Sequence, residues 1–245
     1  MSKLNRREFL LNAGLTSTGV LAFAGLANRY NLLSATPALS TSAGYGPLNP
    51  TKANNTGESL LALPKDFQYT VFGKTGSQMS DKRPTPPAHD GMAAFRVNNQ
   101  LRLVRNHEVN NQVGKPGAAI GPKPYDPLAA GGTTTLIIDP NTREVVADFL
   151  SLSGTLINCA GGPTPWNSWI SCEETVLGPA KVKNSDGQAQ GGFQKGHGYC
   201  FEVPAAANKA VTPVPLKAMG RFVHEAIAVD SQTGIVYLTE DVPTA

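Results

Sequence analysis

The sequence predicts an all-β fold of the β-propeller type, and three observations point to it. Glycine and proline number 25 and 19 in 245 residues, which favours many turns and few long helices. Short apolar runs rich in β-branched residues alternate with turn signals along most of the chain. One hairpin layout also occurs three times: polar pair, apolar strand, turn, apolar strand, acidic pair. His89-Asp90 leads through residues 92–97, a turn at Asn98-Asn99-Gln100 and residues 101–104 to Asn106-His107-Glu108. Asn158-Cys159-Ala160-Gly161-Gly162 leads past Trp166 and Trp169 to Cys172-Glu173-Glu174-Thr175. His224-Glu225 leads through residues 226–230, a turn over 231–234 and residues 235–239 to Glu240-Asp241.

In a hairpin, the start of the first strand and the end of the second share one edge, so each copy gathers candidate ligands there. Hairpin repeats at intervals of roughly 40–70 residues predict a radial architecture whose strand ends converge on an axis. Carboxylates meeting there repel one another unless cations neutralise them, which points to a multi-metal site. A single acidic pair at a strand end is ordinarily a solvated turn. Three copies in one layout, with a cysteine in register, point to ligands instead.

Along the chain, residues 1–27 carry Asn5-Arg6-Arg7-Glu8-Phe9-Leu10, a twin-arginine pattern followed by a weakly apolar run. They read as an export signal for the twin-arginine translocation machinery, with no stable membrane span after processing. Residues 28–59, rich in Ser, Thr, Ala, Asn and Gly, read as a flexible linker. Residues 60–245 read as the propeller-like domain, with about four blades' worth of chain at ~40–45 residues per blade. Phe67-Gln68-Tyr69-Thr70-Val71-Phe72 is predicted as a strand by its alternation and aromatic content. Residues 109–128 and 178–197 are predicted as long loops. Residues 131–138 and 144–152 form a predicted hairpin with its turn at Asn141-Thr142-Arg143, residues 198–204 a strand, and residues 213–219 an extended segment.

A net charge of +3 without a basic stripe or aromatic platform argues against nucleic acid as a partner. No P-loop, dinucleotide fingerprint, nucleophile elbow or zinc-protease helix occurs. Three cysteines cannot all pair. Cys172 and Cys200 sit within apolar strands and read as buried thiols. Cys159 precedes Ala160-Gly161-Gly162, small residues that would let an ion cluster approach the backbone, although a Cys159–Cys172 disulfide across the hairpin is the alternative.

The motifs resemble the PhoX-type alkaline phosphatase family in their order: Arg105-Asn106-His107-Glu108, Asn158-Cys159-Ala160-Gly161-Gly162, Cys172-Glu173-Glu174-Thr175, His197-Gly198-Tyr199, Phe222-Val223-His224-Glu225-Ala226 and Tyr237-Leu238-Thr239-Glu240-Asp241. The resemblance spans nearly all of residues 60–245. It implies an exported β-propeller whose iron and calcium ions hydrolyse phosphate monoesters of small molecules. By position, Cys159 matches the iron-ligating thiolate, and Glu225 and Glu240 match carboxylate metal ligands. One or both of Glu173 and Glu174 match calcium ligands. Asn106 matches the asparagine near the phosphate, with Glu108 close by. No role carries over to Asp90, His107, His224 or Asp241. Family members run longer than this chain, so the resemblance also implies an amino-terminal portion of the whole. Two further readings are a non-catalytic exported propeller that binds a partner, and another metal-dependent hydrolase such as a phosphodiesterase or lactonase.

Overall fold

In the computed structural model, which describes residues 45–111 and 120–242, the protein is all-β. The 3-10 turn Lys217–Met219 is the one helical element among the described residues. The export signal and the first part of the linker lie outside the described residues. The chain divides into two compact units. The described part of the smaller unit comprises residues 45–52 and 57–68. It contains β1 (Asn49–Thr51) paired antiparallel with β2 (Leu61–Leu63), and Tyr45 meets Phe67 edge to face. β1 lies within the predicted linker.

The larger unit comprises residues 53–56 and the described residues from 69 to 242. Its first sheet is a four-stranded antiparallel meander of β3 (His89–Val97), β4 (Gln100–His107), β5 (Gly131–Ile138) and β6 (Val145–Thr155). The second sheet pairs β7 (Asn158–Pro163) with β8 (Ser168–Glu173) and β8 with β11 (Cys200–Pro204). Between them in sequence, β9 (Lys181–Lys183) and β10 (Ala189–Gly191) form a small hairpin of their own. The last sheet pairs β12 (His224–Val229) with β13 (Val236–Glu240). All three predicted hairpins are therefore present, as β3–β4, β7–β8 and β12–β13.

Their turns follow the residues that make them. Asn98 and Asn167 take φ of 52° and 62°, in the left-handed region that asparagine tolerates. In the third turn, Asp230 accepts from the Gln232 amide at 2.9 Å and the Thr233 hydroxyl at 2.6 Å, and Gly234 supplies φ 74°.

Two expectations fail locally. Residues 67–72 form no strand, because Asn55 takes the place of a neighbouring strand: its side chain donates to Val71 O at 2.7 Å and accepts from Val71 N at 3.0 Å. Within the predicted loop 178–197, β9 and β10 pair because Asn184 closes a turn. Its Oδ1 accepts from Asp186 N at 3.1 Å and Gln188 N at 2.8 Å, and Gly187 takes φ 76°.

The main core lies between the first two sheets. Phe95 and Val104 from the first pack with Tyr125, Leu152, Trp169, Phe201 and Val203. A second cluster joins Ile170, Cys172 and Cys200 to Ile227 of the third hairpin. Strand β7 lies against both β3 and β12, and glycine permits this. A Cβ on Gly91 would come within 2.8 Å of Ala160 Cα, one on Gly161 within 1.9 Å of Ile170 O, and one on Gly162 within 2.1 Å of Ile227 O. The small residues after Cys159 thus admit neighbouring backbone. Gly162→Ala should lower stability by about 3 kcal/mol or more, because β12 backbone must shift. Gly187→Ala, at an open turn with φ 76°, should cost about 1–2 kcal/mol, read from urea denaturation midpoints.

Candidate metal centre

Each hairpin carries the same irregularity at the same place. On β3 the register steps from His89↔His107 to Met92↔Arg105, three residues against two. On β7 it steps from Asn158↔Glu173 to Gly161↔Ser171, and on β12 from His224↔Glu240 to Ile227↔Leu238. Each is a one-residue β-bulge, and a bulge re-aims the side chains it carries. The second residue of each hairpin, at the start of its bulge, is Asp90, Cys159 or Glu225.

The partner strands end alike. Glu108 N donates to Ala88 O at 2.8 Å, Glu174 N to Ile157 O at 2.8 Å and Asp241 N to Val223 O at 3.2 Å. In each case the first residue past the second strand is tied to the residue just before the first. Six groups are placed equivalently as a result: Asp90 with Glu108, Cys159 with Glu174, and Glu225 with Asp241.

These groups act on one another. Ligand atoms of Cys159, Glu174 and Glu225 all lie within 4.8 Å of one another. The Cys159 thiol donates to Glu225 Oε2 at 3.3 Å. Burial pushes this thiol well above its ordinary range, and the Glu225 and Glu174 carboxylates push it further. Glu174 is raised by burial, then by the charge of Glu225 and by a hydrogen bond with Asp241. Glu108 is raised by burial, then by Asp90, which lies within hydrogen-bonding reach, and by Glu225. Like charges on partly buried groups disfavour ionisation, and a cation placed among them reverses that effect. A thiolate with carboxylates suits iron, and carboxylates with carbonyls suit calcium, so these donors fit both.

His107 and Glu173, the first members of two of the closing pairs, are engaged elsewhere. His107 is buried between Pro87 O at 2.9 Å and Thr134 Oγ1 at 2.9 Å, and burial lowers its pKa to about 3. Glu173 is fully buried, and its carboxylate accepts four hydrogen bonds: Leu156 N at 3.0 Å, His197 Nδ1 at 2.7 Å, Gly198 N at 2.7 Å and Tyr199 N at 3.1 Å. On its other side His197 lies 3.6 Å from the buried Asp126. With every acceptor position taken, Glu173 anchors strand ends and lies outside that group. Glu240 is exposed and also lies outside the group, in the position equivalent to Glu173, whereas the neighbouring Asp241 reaches Glu174.

Asn106 is likewise held by its neighbours. It is fully buried, donates to Cys159 O at 3.3 Å and Ala160 O at 2.7 Å, and accepts from Trp169 Nε1 at 2.8 Å and Ser171 Oγ at 2.9 Å. These bonds fix the backbone of the Cys159 bulge. The alternative Cys159–Cys172 disulfide is absent: all three cysteines are free, and Cys172 faces Cys200 with 3.6 Å between sulfurs. Asp90 and Asp241 are the residues that sequence reasoning left without a role. Superposing the three copies pair by pair would have found them. The second members are then Asp90, Cys159 and Glu225 at one end and Glu108, Glu174 and Asp241 at the other, and all six are ligand types.

A thiol and carboxylates gathered at one point of an all-β scaffold are a donor set that could hold a metal ion. The chain belongs to the PhoX alkaline phosphatase family, whose model, Alkaline phosphatase PhoX, matches residues 43–149 and 139–245. No curated protein and no solved structure matches the chain. No helix among the described residues is long and apolar enough to cross a membrane.

Glu174 and Glu108 have folded pKa values above their ordinary ones. Their contribution to metal-free stability is therefore full below the unfolded carboxylate pKa and is lost as pH rises through the folded value. In chelator at neutral pH, Glu174→Gln should raise the melting temperature by about 2–4 °C. With calcium or iron added, the wild type should gain stability and Glu174→Gln should gain less, as thermal denaturation would show.

Proposed function

We propose that the chain is an exported, metal-dependent phosphatase that hydrolyses phosphate monoesters of small molecules. The observation that carries this reading is the gathering of Cys159, Glu174 and Glu225, with Asp90, Glu108 and Asp241 beside them, in a member of the PhoX family. Cys159 and Glu225 would hold iron, while Glu174 and Glu108 would hold calcium. Bound cations would supply the positive charge that holds the phosphate oxygens and offsets the charge developed during transfer.

The chain's own residues prepare that role. Glu225 Oε2 accepts from the Cys159 thiol, 3.3 Å from its sulfur, and is a ready acceptor for the proton when the thiol becomes a ligand. Asn106 fixes the Cys159 and Ala160 carbonyls, so the bulge keeps its shape as the proton leaves. Glu173, bound by four donors, sets the end of β8 from which Glu174 projects. The sheets fit the blades of a β-propeller: β3, β7 and β12 open successive hairpins and lie side by side. The twin-arginine pattern in residues 1–27 supports export by the twin-arginine machinery.

The test is hydrolysis of a chromogenic phosphate monoester by protein loaded with iron and calcium, with and without chelator. Turnover should vanish in chelator, and Cys159→Ala should lower kcat/KM by about 100-fold or more. Stoichiometric metal without monoester hydrolysis would overturn the reading. In that case, turnover of diesters or lactones would favour another hydrolase, and no turnover at all a binding protein.

A further inference from the structure

Cys172 and Cys200 have no part in the site described above. They face each other directly across β8 and β11, 28 positions apart in sequence. On one side of this pair Glu173 N donates to Tyr199 O at 3.1 Å, and Cys200 O is taken instead by Leu216 N at 2.9 Å. Antiparallel ladders alternate hydrogen-bonded and non-hydrogen-bonded pairs, so Cys172 and Cys200 occupy a non-hydrogen-bonded position. There facing residues come closest, with Cα atoms about 4.5 Å apart, within the span a disulfide bridges. The sulfurs are 3.6 Å apart and both are buried among apolar neighbours Ile170 and Ile227, with His224 also within hydrogen-bonding reach of Cys200. Bonding requires the sulfurs to close by roughly 1.5 Å, a movement of side-chain scale. The third thiol, Cys159, is turned towards Glu225 instead.

We propose that Cys172 and Cys200 are a modification site: a cross-strand disulfide forms between them when the protein meets a low-molecular-weight disulfide oxidant. One cysteine, as its thiolate, displaces one thiol from the oxidant to give a mixed disulfide. The second then displaces the other, so two electrons and two protons pass from the cysteines to the reagent, which leaves as two thiols. Access requires β11 to open. β11 is an edge strand of its sheet, and its outer side is held by the Leu216 N bond and a single bridge from Phe201 to Pro215. The new bond would lie one rung from Glu173 and Tyr199. It would lock together the strands whose hydrogen bonds seat Glu173 and place Glu174 beside it.

The experiment is incubation of the full chain with excess oxidised glutathione, including a series in low urea. Denaturation, alkylation, intact mass and peptide mapping then follow. The expected product has lost two hydrogen atoms, contains one link joining Cys172 to Cys200, and carries one alkyl group, on Cys159. Its melting temperature should exceed that of the reduced protein by about 5–10 °C. Cys159→Ser should still form the link, and Cys200→Ser should not. Three alkylated thiols in the wild type after the urea series, a stable glutathione adduct on either cysteine, or a link to Cys159 would each overturn the proposal.

Discussion

Three equivalent β-bulges are the constraint on which the rest of the structure depends. Each adds one residue to the first strand of a hairpin between the first pair in the ladder and the next. Because side chains on a regular strand alternate between faces, that single residue decides which member of each polar pair turns to the common point. The outcome is a concentration of acidic groups that the polypeptide alone resists, as the raised pKa values of Glu108, Glu174 and Cys159 record. The surrounding structure holds the groups in place. Buried polar networks at Asn106 and Glu173 over-determine the bulge and the strand end, and the aromatic core beneath them joins the first two sheets. Such preorganisation favours a cation, which finds its donors placed and their mutual repulsion waiting to be relieved.

Much of this was legible in the sequence. The hairpins at 89–108, 158–175 and 224–241 show in their alternation, their turn residues and the repetition of their ends. The repeated ends offer Cys159, Glu173-Glu174, Glu225, Glu240 and Glu108 as candidates, and the family resemblance names them as ligands. The choice within each pair was not legible, because adjacent carboxylates such as Glu173-Glu174 look alike until the register is known. Glu174, just past the end of β8, joins the group while Glu173 is taken by its four donors, and Asp241 in the equivalent place hydrogen-bonds Glu174. The partners of Asn106 were hidden for a related reason. A polar residue at a strand end looks available, and only the packing of Trp169 and Ser171 against it shows that its amide is fully used. The strand expected at residues 67–72 failed because an asparagine side chain can satisfy backbone groups as a strand does.

Membership of the PhoX alkaline phosphatase family and the geometry of the site were reached independently, and each limits the other. The family supplies the class of chemistry, phosphatase action dependent on metal. The geometry says which residues of this chain are placed to serve it, and separates ligand positions from the anchoring positions next to them. Cys159, Glu174 and Glu225 gather at one point with Glu108 and Asp241 interacting beside them, while the neighbouring His107 and Glu173 hold the scaffold.

Iron and calcium content per polypeptide, measured by elemental analysis on purified Glu240→Gln and Asp241→Asn proteins beside the wild type, tests that separation most directly. Both are single, nearly isosteric changes at adjacent positions of one strand end. The account predicts that Asp241→Asn binds less metal than the wild type and that Glu240→Gln binds as much. Loss of metal from Glu240→Gln with full retention in Asp241→Asn would contradict it.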